Sequence, residues 1–334
     1  MRIAVVILNW NGKELLRKFL PSVVSFSPEA TVYMADNAST DGSAVFVKQN
    51  FPQVKIIQNI QNGGYAKGYN DALSQLSEEI FILLNSDVAV TENWLPPLIS
   101  CFENQSKTAA VQPKILDYHR KNYFEYAGAA GGFLDRLAFP YCRGRIFEDL
   151  EEDRGQYDDE VPIFWASGAC LAVRKSVFYE AGKLDENYFA HQEEIDLCWR
   201  MRNLGYTIKY IGKSKVFHVG GATLSSENPQ KTFYNFRNSL FNLVKNDSGK
   251  FHFFLVVLRL SLDGIAAVRF LFQGKPKHFG AVFKAHLSFY KSLPILLKKR
   301  KIHPKKSHKS RVFSIVFEYY ILGKKTFSAL RKQS

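Results

Sequence analysis

Four short runs rich in Val and Ile, at 3–9, 31–35, 54–58 and 79–84, alternate with helix-like patterns at about 12–26, 41–50, 66–77 and 92–104. Strands separated by helices need crossover connections, and crossovers lay the strands parallel in a sheet covered on both faces. The expected fold is therefore α/β, with a Rossmann-like, doubly wound mixed sheet. Ligands bind such sheets at the carboxyl ends of the strands. Three polar or Gly-rich stretches fall there: Asn9 to Gly12, Asp36 to Gly42, and Asn85 to Asp87. Loops in that position carry function.

Beyond the first third the character changes. Residues 108–190 are richer in aromatics, Gly and turns, and read as hairpins. A helix is expected from Glu193 to Leu204, stopped by Gly205, then a strand at 215–219 and a helix at about 229–246. These close a domain expected over 1–246. Residues 247–334 are expected to form a basic helical extension. Of the 45 Lys and Arg, 20 lie between Lys245 and Ser334, against 3 of the 31 Asp and Glu, so the formal charge of +14 belongs to the tail. A near-neutral front on a basic tail implies an anionic partner for the tail alone.

The run at 251–272 is long enough to span a bilayer, but Arg259, Asp263 and Arg269 interrupt it. Each such charge costs about 2.5–3.5 kcal/mol near a bilayer centre. The run is therefore expected to lie at an interface with similar helices at about 278–300 and 311–331, associating with an anionic membrane surface. The alternative is that these helices pack on the front domain or on a partner protein. Nucleic acid would suit the same charge, but no recognised binding module accompanies it, so none is expected as a partner. The tail histidines His252, His278, His286, His303 and His308 are expected to be interfacial. The four cysteines form no CxxC pair, and the N-terminus reads as a strand rather than a secretion signal. A reducing compartment is the simpler reading, with the protein cytoplasmic and peripheral on the inner face of the cell membrane.

The chemistry-bearing residues cluster at the strand ends. Asp36 follows TVYMA, where its carboxylate can accept from a pyrimidine N–H or cap the following turn. Asn62 to Asn70 is a Gly-rich turn opening a helix, where free amides favour phosphate oxygens, or Gly63-Gly64 is merely a turn. Asp87 ends the apolar strand EIFILL, and a hard divalent cation bridging it to a diphosphate would partner it. His218 ends SKVFHVGG, where two glycines permit close approach. Glu193, Glu194 and Asp196 put three carboxylates into four residues at a helix start. The helix dipole alone could explain them. Crowding also raises proton affinity, which suits a general base.

VVILNWNG at 5–12, DNASTDGS at 36–43, NGGYAKGYN at 62–70, LLNSDV at 83–88, GACLAVRKSVF at 168–178, EEIDLCWR at 193–200 and VFHVGGATL at 216–224 occur in this order. Together they resemble family 2 glycosyltransferases of the GT-A fold, and most nearly the rhamnosyltransferase-like enzymes of bacterial surface polysaccharide synthesis. The resemblance implies an inverting enzyme using a UDP- or dTDP-linked sugar and a divalent cation, Mg2+ or Mn2+, with a glycan or lipid-linked acceptor. It implies nucleotide-sugar binding by Asn9, Asp36, Asn62, Gly63, Asn70, Asn85 and Arg237, with metal contacts from Asp87 and His218. Asn85 stands where the family carries the first Asp of a D-x-D-like element. The family's Glu-Asp pair, whose second member is the presumed base, is Glu193-Glu194 here. The choice among Glu194, Glu193 and Asp196 stays open, with Glu194 favoured. Trp165 and Gly168 match the acceptor-side loop, where Trp165 either stacks on a sugar or fills core. Arg237 either faces the diphosphate or pairs on the surface. A nucleotidyltransferase and an inactive scaffold of the same fold are the competing readings. The first would carry a basic Gly-rich loop after strand one, and Asn9-Trp10-Asn11-Gly12 is not one.

Overall fold

The computed structural model describes residues 1–220, 227–249, 251–300 and 310–331. The last four residues of the 216–224 motif, most of the basic run at 298–309, His303 and His308 lie outside the described residues. The main sheet contains β1 (Ile3–Asn9), β2 (Thr31–Asp36), β3 (Lys55–Gln58), β4 (Ile80–Asn85), β5 (Val88–Val90) and β6 (Thr108–Asp117). A small four-stranded sheet follows, built from β7 (Gly132–Leu134), β8 (Pro140–Cys142), β9 (Arg145–Ile146) and β10 (Asp149–Leu150). The chain then returns to the main sheet as β11 (Glu160–Ile163), β12 (Cys170–Arg174) and β13 (Thr207–His218). The helices are α1 (Lys13–Ser25), α2 (Ser43–Asn50), α3 (Gly64–Leu73), α4 (Leu95–Asn104), α5 (Lys175–Glu180), α6 (Glu193–Asn203) and α7 (Pro229–Asn246). The C-terminal region adds α8 (His252–Phe272), α9 (Pro276–Lys299), α10 (Ile315–Tyr320) and α11 (Phe327–Arg331).

The main sheet runs β11-β13-β6-β12-β4-β1-β2-β3, with β5 added to β13. Strands β1 to β4 are mutually parallel where they pair, whereas β12 is antiparallel to both β4 and β6. The sheet is thus mixed, and two apolar clusters cover its faces. Register then decides what meets at the carboxyl end. Asn9 lies opposite Asp36, Asp36 opposite Gln58, and Leu8 opposite Asn85. His218, the last residue of β13, lies opposite Val88 and Asp117.

The C-terminal helices differ from the expected pattern. Leu255, Val256, Phe289, Leu296, Val312, Ile315 and Phe327 join the same apolar cluster as the front domain. In α8 two of the three charges expected to sit at an interface, Arg259 and Asp263, face inward, whereas Arg269 is exposed. Arg259 and Asp263 are buried and paired at 2.9 Å, with the Arg259 guanidinium 3.4 Å above the Phe139 ring and bonded to the Leu137 carbonyl. His278 is buried against Thr232 at 2.8 Å, and His286 lies 3.5 Å from Asp263, so neither is interfacial. Phe253, Phe254, Val257, Ile265, Val268 and Phe272, at helical spacing, are exposed instead. Among the described residues no helix is long and apolar enough to cross a membrane. The single helix expected over 311–331 is two short ones. Gly323, in the left-handed region at φ 67, follows the first, and amides of both helices are tied to the small-sheet region through Asp135 and Glu151.

Candidate active site

The nucleotide-side residues form one layer. Asp36 is buried, and its Oδ1 accepts from Asn9 Nδ2 at 3.1 Å. Its Oδ2 accepts from the Ser39 amide at 3.0 Å and from Gln58 Nε2 at 2.8 Å. Asp36 thus does cap the following turn. Gln58 was not anticipated; its signal was its place at the end of β3. Asn9 Oδ1 is buried without a hydrogen-bond partner among the described residues, an acceptor that calls for a donor. A Cβ on Gly12 would stand 2.6 Å from that oxygen and 3.6 Å from Ser86 Oγ, so the β1 and β4 ends are in contact. Asn85, at the end of β4, is half-buried, and its amide bonds the Ala169 carbonyl at 3.0 Å.

The Gly-rich turn is more committed to the protein than its sequence suggests. Asn62 Oδ1 accepts from the Gly64 amide and from Asn37 Nδ2, both at 3.0 Å. The Tyr65 amide bonds the Phe189 carbonyl at 2.9 Å, so two amides of the first turn after Gly63 are already taken. Asn70, buried inside α3, bonds Leu184 and Glu186 and serves as a tie between elements. A nucleotide contact is not what its side chain provides.

Asp87 and His218 do meet, and bring a third group. His218 Nε2 lies 3.1 Å from Asp87 Oδ1, and its Nδ1 lies 3.3 Å from Glu125 Oε2; all three side chains are buried. Burial alone would lower the imidazole pKa, but Glu125 and Asp87 outweigh it and hold the proton up to about 10. Two carboxylates around one imidazole make a site of surplus negative charge, and their oxygens suit a hard divalent cation. Among the described residues no three His, Cys, Asp or Glu side chains already surround one point. Mg2+ is commonly held by one or two carboxylates plus substrate phosphates rather than by a protein cage, so the donor set fits. Glu125 had no sequence signal, because it lies in the irregular stretch after β6.

The three candidate bases separate sharply. Asp196 is fully buried, paired with Arg200 and Lys245 at 2.7 Å each and bonded by Asn246 at 2.8 Å. Burial raises its pKa, but Arg200 and Lys245 outweigh that and hold it below the usual carboxylate range. Its lone pairs are in use and its charge is locked, so Asp196 leaves the list of bases. Glu193 is buried, with Oε2 unpartnered among the described residues, and burial followed by the neighbouring Glu194 pushes its pKa well up. Glu194 is half-buried, and burial lifts its pKa to about 7 against nearby backbone donors, including that of Gly168. A Cβ on Gly168 would stand 3.8 Å from Glu194 Cδ and 2.8 Å from the Tyr65 hydroxyl. Tyr65 donates to the Gly168 carbonyl at 2.8 Å, so Gly168 lets α3, the start of β12 and α6 close on one another.

Two acceptor-side expectations change. Trp165 is buried, and its indole N–H donates to the Phe133 carbonyl at 2.9 Å. It fills core and is not free to stack on a sugar. The Arg237 guanidinium binds the carbonyls of Asn187 and Tyr188 at 3.2 and 3.0 Å, and Asn238 donates to those of Tyr188, Ala190 and His191. This pair braces the loop that delivers Glu193 and Glu194. Phe189, His191 and Gln192 all have positive φ there, strain of about 1–3 kcal/mol each that surrounding contacts must offset. The bracing, rather than a diphosphate contact, is what Arg237 does here.

A family model described as glycosyl transferase family 2 matches residues 4–182, more than half of the chain. The chain belongs to that family. It is a glycosyltransferase that takes a nucleotide-sugar donor, and its relatives are enzymes of glycan synthesis. It is 24% identical over 282 residues to N-acetylglucosaminyl-diphospho-decaprenol L-rhamnosyltransferase of Mycobacterium tuberculosis, covering 80% of this chain and 91% of that one. Among solved structures it is similar in fold to S. aureus TarS 1-349 in complex with UDP-GlcNAc (TM-score 0.55, 12% identity, 89% of this chain and 91% of that one). It is likewise similar to the mannosyltransferase PcManGT from Pyrobaculum calidifontis in complex with GDP-Man and Mn2+ (TM-score 0.53, 13% identity, 86% and 87%). The GT-A architecture expected from the motifs is thus the fold of the front of this glycosyltransferase.

Proposed function

We propose that this glycosyltransferase transfers one sugar with inversion from a UDP- or dTDP-sugar to a hydroxyl of a lipid-linked glycan, at the cytoplasmic face of a membrane. The observation that carries the reading is the half-buried Glu194, its proton affinity raised, set through Gly168 beside the strand ends that hold Asn9, Asp36 and Asn85. Asn9 and Asp36 read the base edge, with the unpartnered Asn9 Oδ1 as the free acceptor. Asp87, and His218 once its proton is displaced, with Glu125 behind, would hold a divalent cation together with the donor's diphosphate. When bound, that cation supplies neutralisation of charge on the departing nucleoside diphosphate. Glu194 takes the acceptor proton as the hydroxyl oxygen attacks the anomeric carbon from the face opposite the leaving group. The test is thermal stabilisation by UDP or dTDP with Mn2+. At a ligand concentration of about 100 times Kd the native chain gains about 2.7 kcal/mol, and Asp87→Asn loses the metal-dependent part. Equal stabilisation with and without metal, or in both proteins, would sink the assignment.

The lipid-linked acceptor draws support from the mycobacterial relative, whose name states a diphospho-decaprenol acceptor. It is also supported by the exposed apolar stripe of α8 and by the basic tail. Phe272 is 88% exposed and Phe253 73% exposed, an arrangement that costs stability in water and is relieved in a lipid interface. Deleting residues 250–334 would also remove part of the core, so point changes make the cleaner test. Replacing Phe253, Phe254 and Phe272 by Ser is expected to abolish co-sedimentation with anionic vesicles while leaving the melting temperature unchanged. Retained vesicle binding would exclude this face.

A further inference from the structure

Between α7 and α9 lies a hollow of about 470 Å³, lined by Gln230, Phe233, Lys277, Ala281 and Lys284 among others. Its chemistry is lopsided. Phe233 and the small residues Gly280 and Ala281 give it an apolar floor, and a Cβ on Gly280 would meet nothing within 4 Å. The two lysines are exposed, and neither forms an ion pair or hydrogen bond among the described residues. Lys291 and Lys298 further along α9 are likewise without a partner among the described residues, whereas Lys275 pairs with Glu227, Lys299 with Asp185, and Lys324 with Glu318. Two unpaired ammonium groups one heptad apart on one helix leave a positive charge with no neutralising partner among the described residues.

The surroundings give the occupant its shape. Lys277 and Lys284 begin a row that Lys291 and Lys298 continue at seven-residue spacing along α9. Phe279, Phe283, Leu287 and Tyr290 form an exposed apolar stripe beside that row. On the other side, Gln230 precedes Lys231, whose ammonium lies 5.8 Å from the ring centre of Tyr126, the neighbour in sequence of Glu125 behind His218. The same helix α7 carries Tyr234 and Asn235, which contact Phe189 and Gln192 in the loop before Glu194, so the hollow and the transfer site share α7. An anionic group in the hollow would have the site on one side and an apolar stripe leading away on the other.

We infer that this groove binds the diphosphate of a lipid-linked acceptor, with Lys277 and Lys284 on the phosphate oxygens and the first isoprenoid units along Phe279 and Phe283. The inference rests on the lipid-linked reading above and names the group that reading leaves unplaced. A glycan diphospholipid presents its sugar, its two phosphates and its chain in that order, and site, lysine pair and apolar stripe follow the same order. The outer lysines of the row meet the membrane surface without selecting among anions.

The experiment uses the full chain and a fluorescent farnesyl diphosphate analogue, with EDTA present so that metal-dependent diphosphate binding at Asp87 does not contribute. The native chain binds the probe, and farnesol competes poorly. The double variant Lys277→Gln/Lys284→Gln binds about tenfold more weakly or worse, whereas Lys291→Gln/Lys298→Gln stays near the native value. An equal loss in both pairs, no loss in the first, or no binding by the native chain would overturn the groove. A second measurement separates this from the underlying reading. If the chain glycosylates a prenyl-diphosphate glycan with an acceptor KM that the groove pair does not raise, the groove is wrong and the acceptor class stands. If the groove pair alone loses the probe but no lipid-linked acceptor is glycosylated, the groove stands and the acceptor class is wrong.

Discussion

Glu194→Gln is expected to lower kcat by about 10² to 10⁴ while leaving donor affinity unchanged, because the contribution of a positioned general base to proton transfer is of that size. Gln keeps the length and the hydrogen-bonding reach of the side chain, so its binding contacts survive and only the proton acceptor is lost. The pH dependence follows from the same carboxyl. Its pKa is raised to about 7 by burial, so the base form is scarce below that pH. For the native protein kcat/KM should rise about tenfold per pH unit up to about 7 and then level off, and the Gln variant should lose that limb. Stability should move the other way. A carboxyl whose folded pKa lies above its unfolded value favours the fold at low pH, and that contribution is gone once pH has risen through 7. The Gln variant should therefore melt no lower than the native protein above pH 7. A variant that melts well below native at that pH, with kcat scaling with the folded fraction, would make Glu194 structural. The neighbouring Glu193, buried with an unpartnered oxygen, is the internal control: Glu193→Gln should change kcat far less.

The sequence favoured Glu194 but left Glu193 and Asp196 open, because what separates the three carboxylates lies outside the local pattern. The helix start EEID shows three acids near a positive dipole end, and on a helical wheel Glu193 and Asp196 share a side that Glu194 leaves. Which side is buried depends on α7, which follows only after β13. Asn238, Arg237 and Lys245 on that helix bind the loop before α6 and the Asp196 carboxylate. Contacts across some fifty residues have no periodic signature. Trp165 shows the same limit, since the carbonyl that takes its N–H belongs to Phe133 in a separate small sheet. The parallel half of the sheet was legible, because Val and Ile runs bounded by polar ends follow from local preference and burial. Asn9 and Asp36 were legible as strand-end residues, but the hydrogen bond between them was not. In the tail the first two helices were read in place, but 311–331 is two short helices, and Arg259 and Asp263 face the core rather than solvent. Its periodicity gives an amphipathic helix, and the assumption that charge faces solvent fails at Arg259, whose partners Asp263, Phe139 and Leu137 make burial tolerable.

Asp196→Ala is expected to destabilise the fold by about 3–5 kcal/mol, the cost of removing one partner from a buried ion-pair network. The carboxylate is fully buried between Arg200 and Lys245, and Asn246 donates to it as well. Its loss strands part of two cations. Lys245 keeps Asp185 at 2.6 Å, but among the described residues Arg200 is then left with the Ala181 and Lys183 carbonyls. The charge of Asp196 is favoured in the fold, since its pKa is held down there. This stabilisation is therefore present above the unfolded carboxyl value of about 3.9 and is lost as pH falls through the folded one. The difference in unfolding free energy between native and variant should thus be largest near neutral pH and shrink in acid, measured by urea titration at several pH values. In the residual folded protein, kcat should fall by far less than in Glu194→Gln. α7 would still brace the 187–192 loop ahead of Glu194 through Arg237 and Asn238, without the charge on Asp196. If kcat instead collapsed while stability held, Asp196 would return as a base, and the division of labour among the three carboxylates would have to be redrawn.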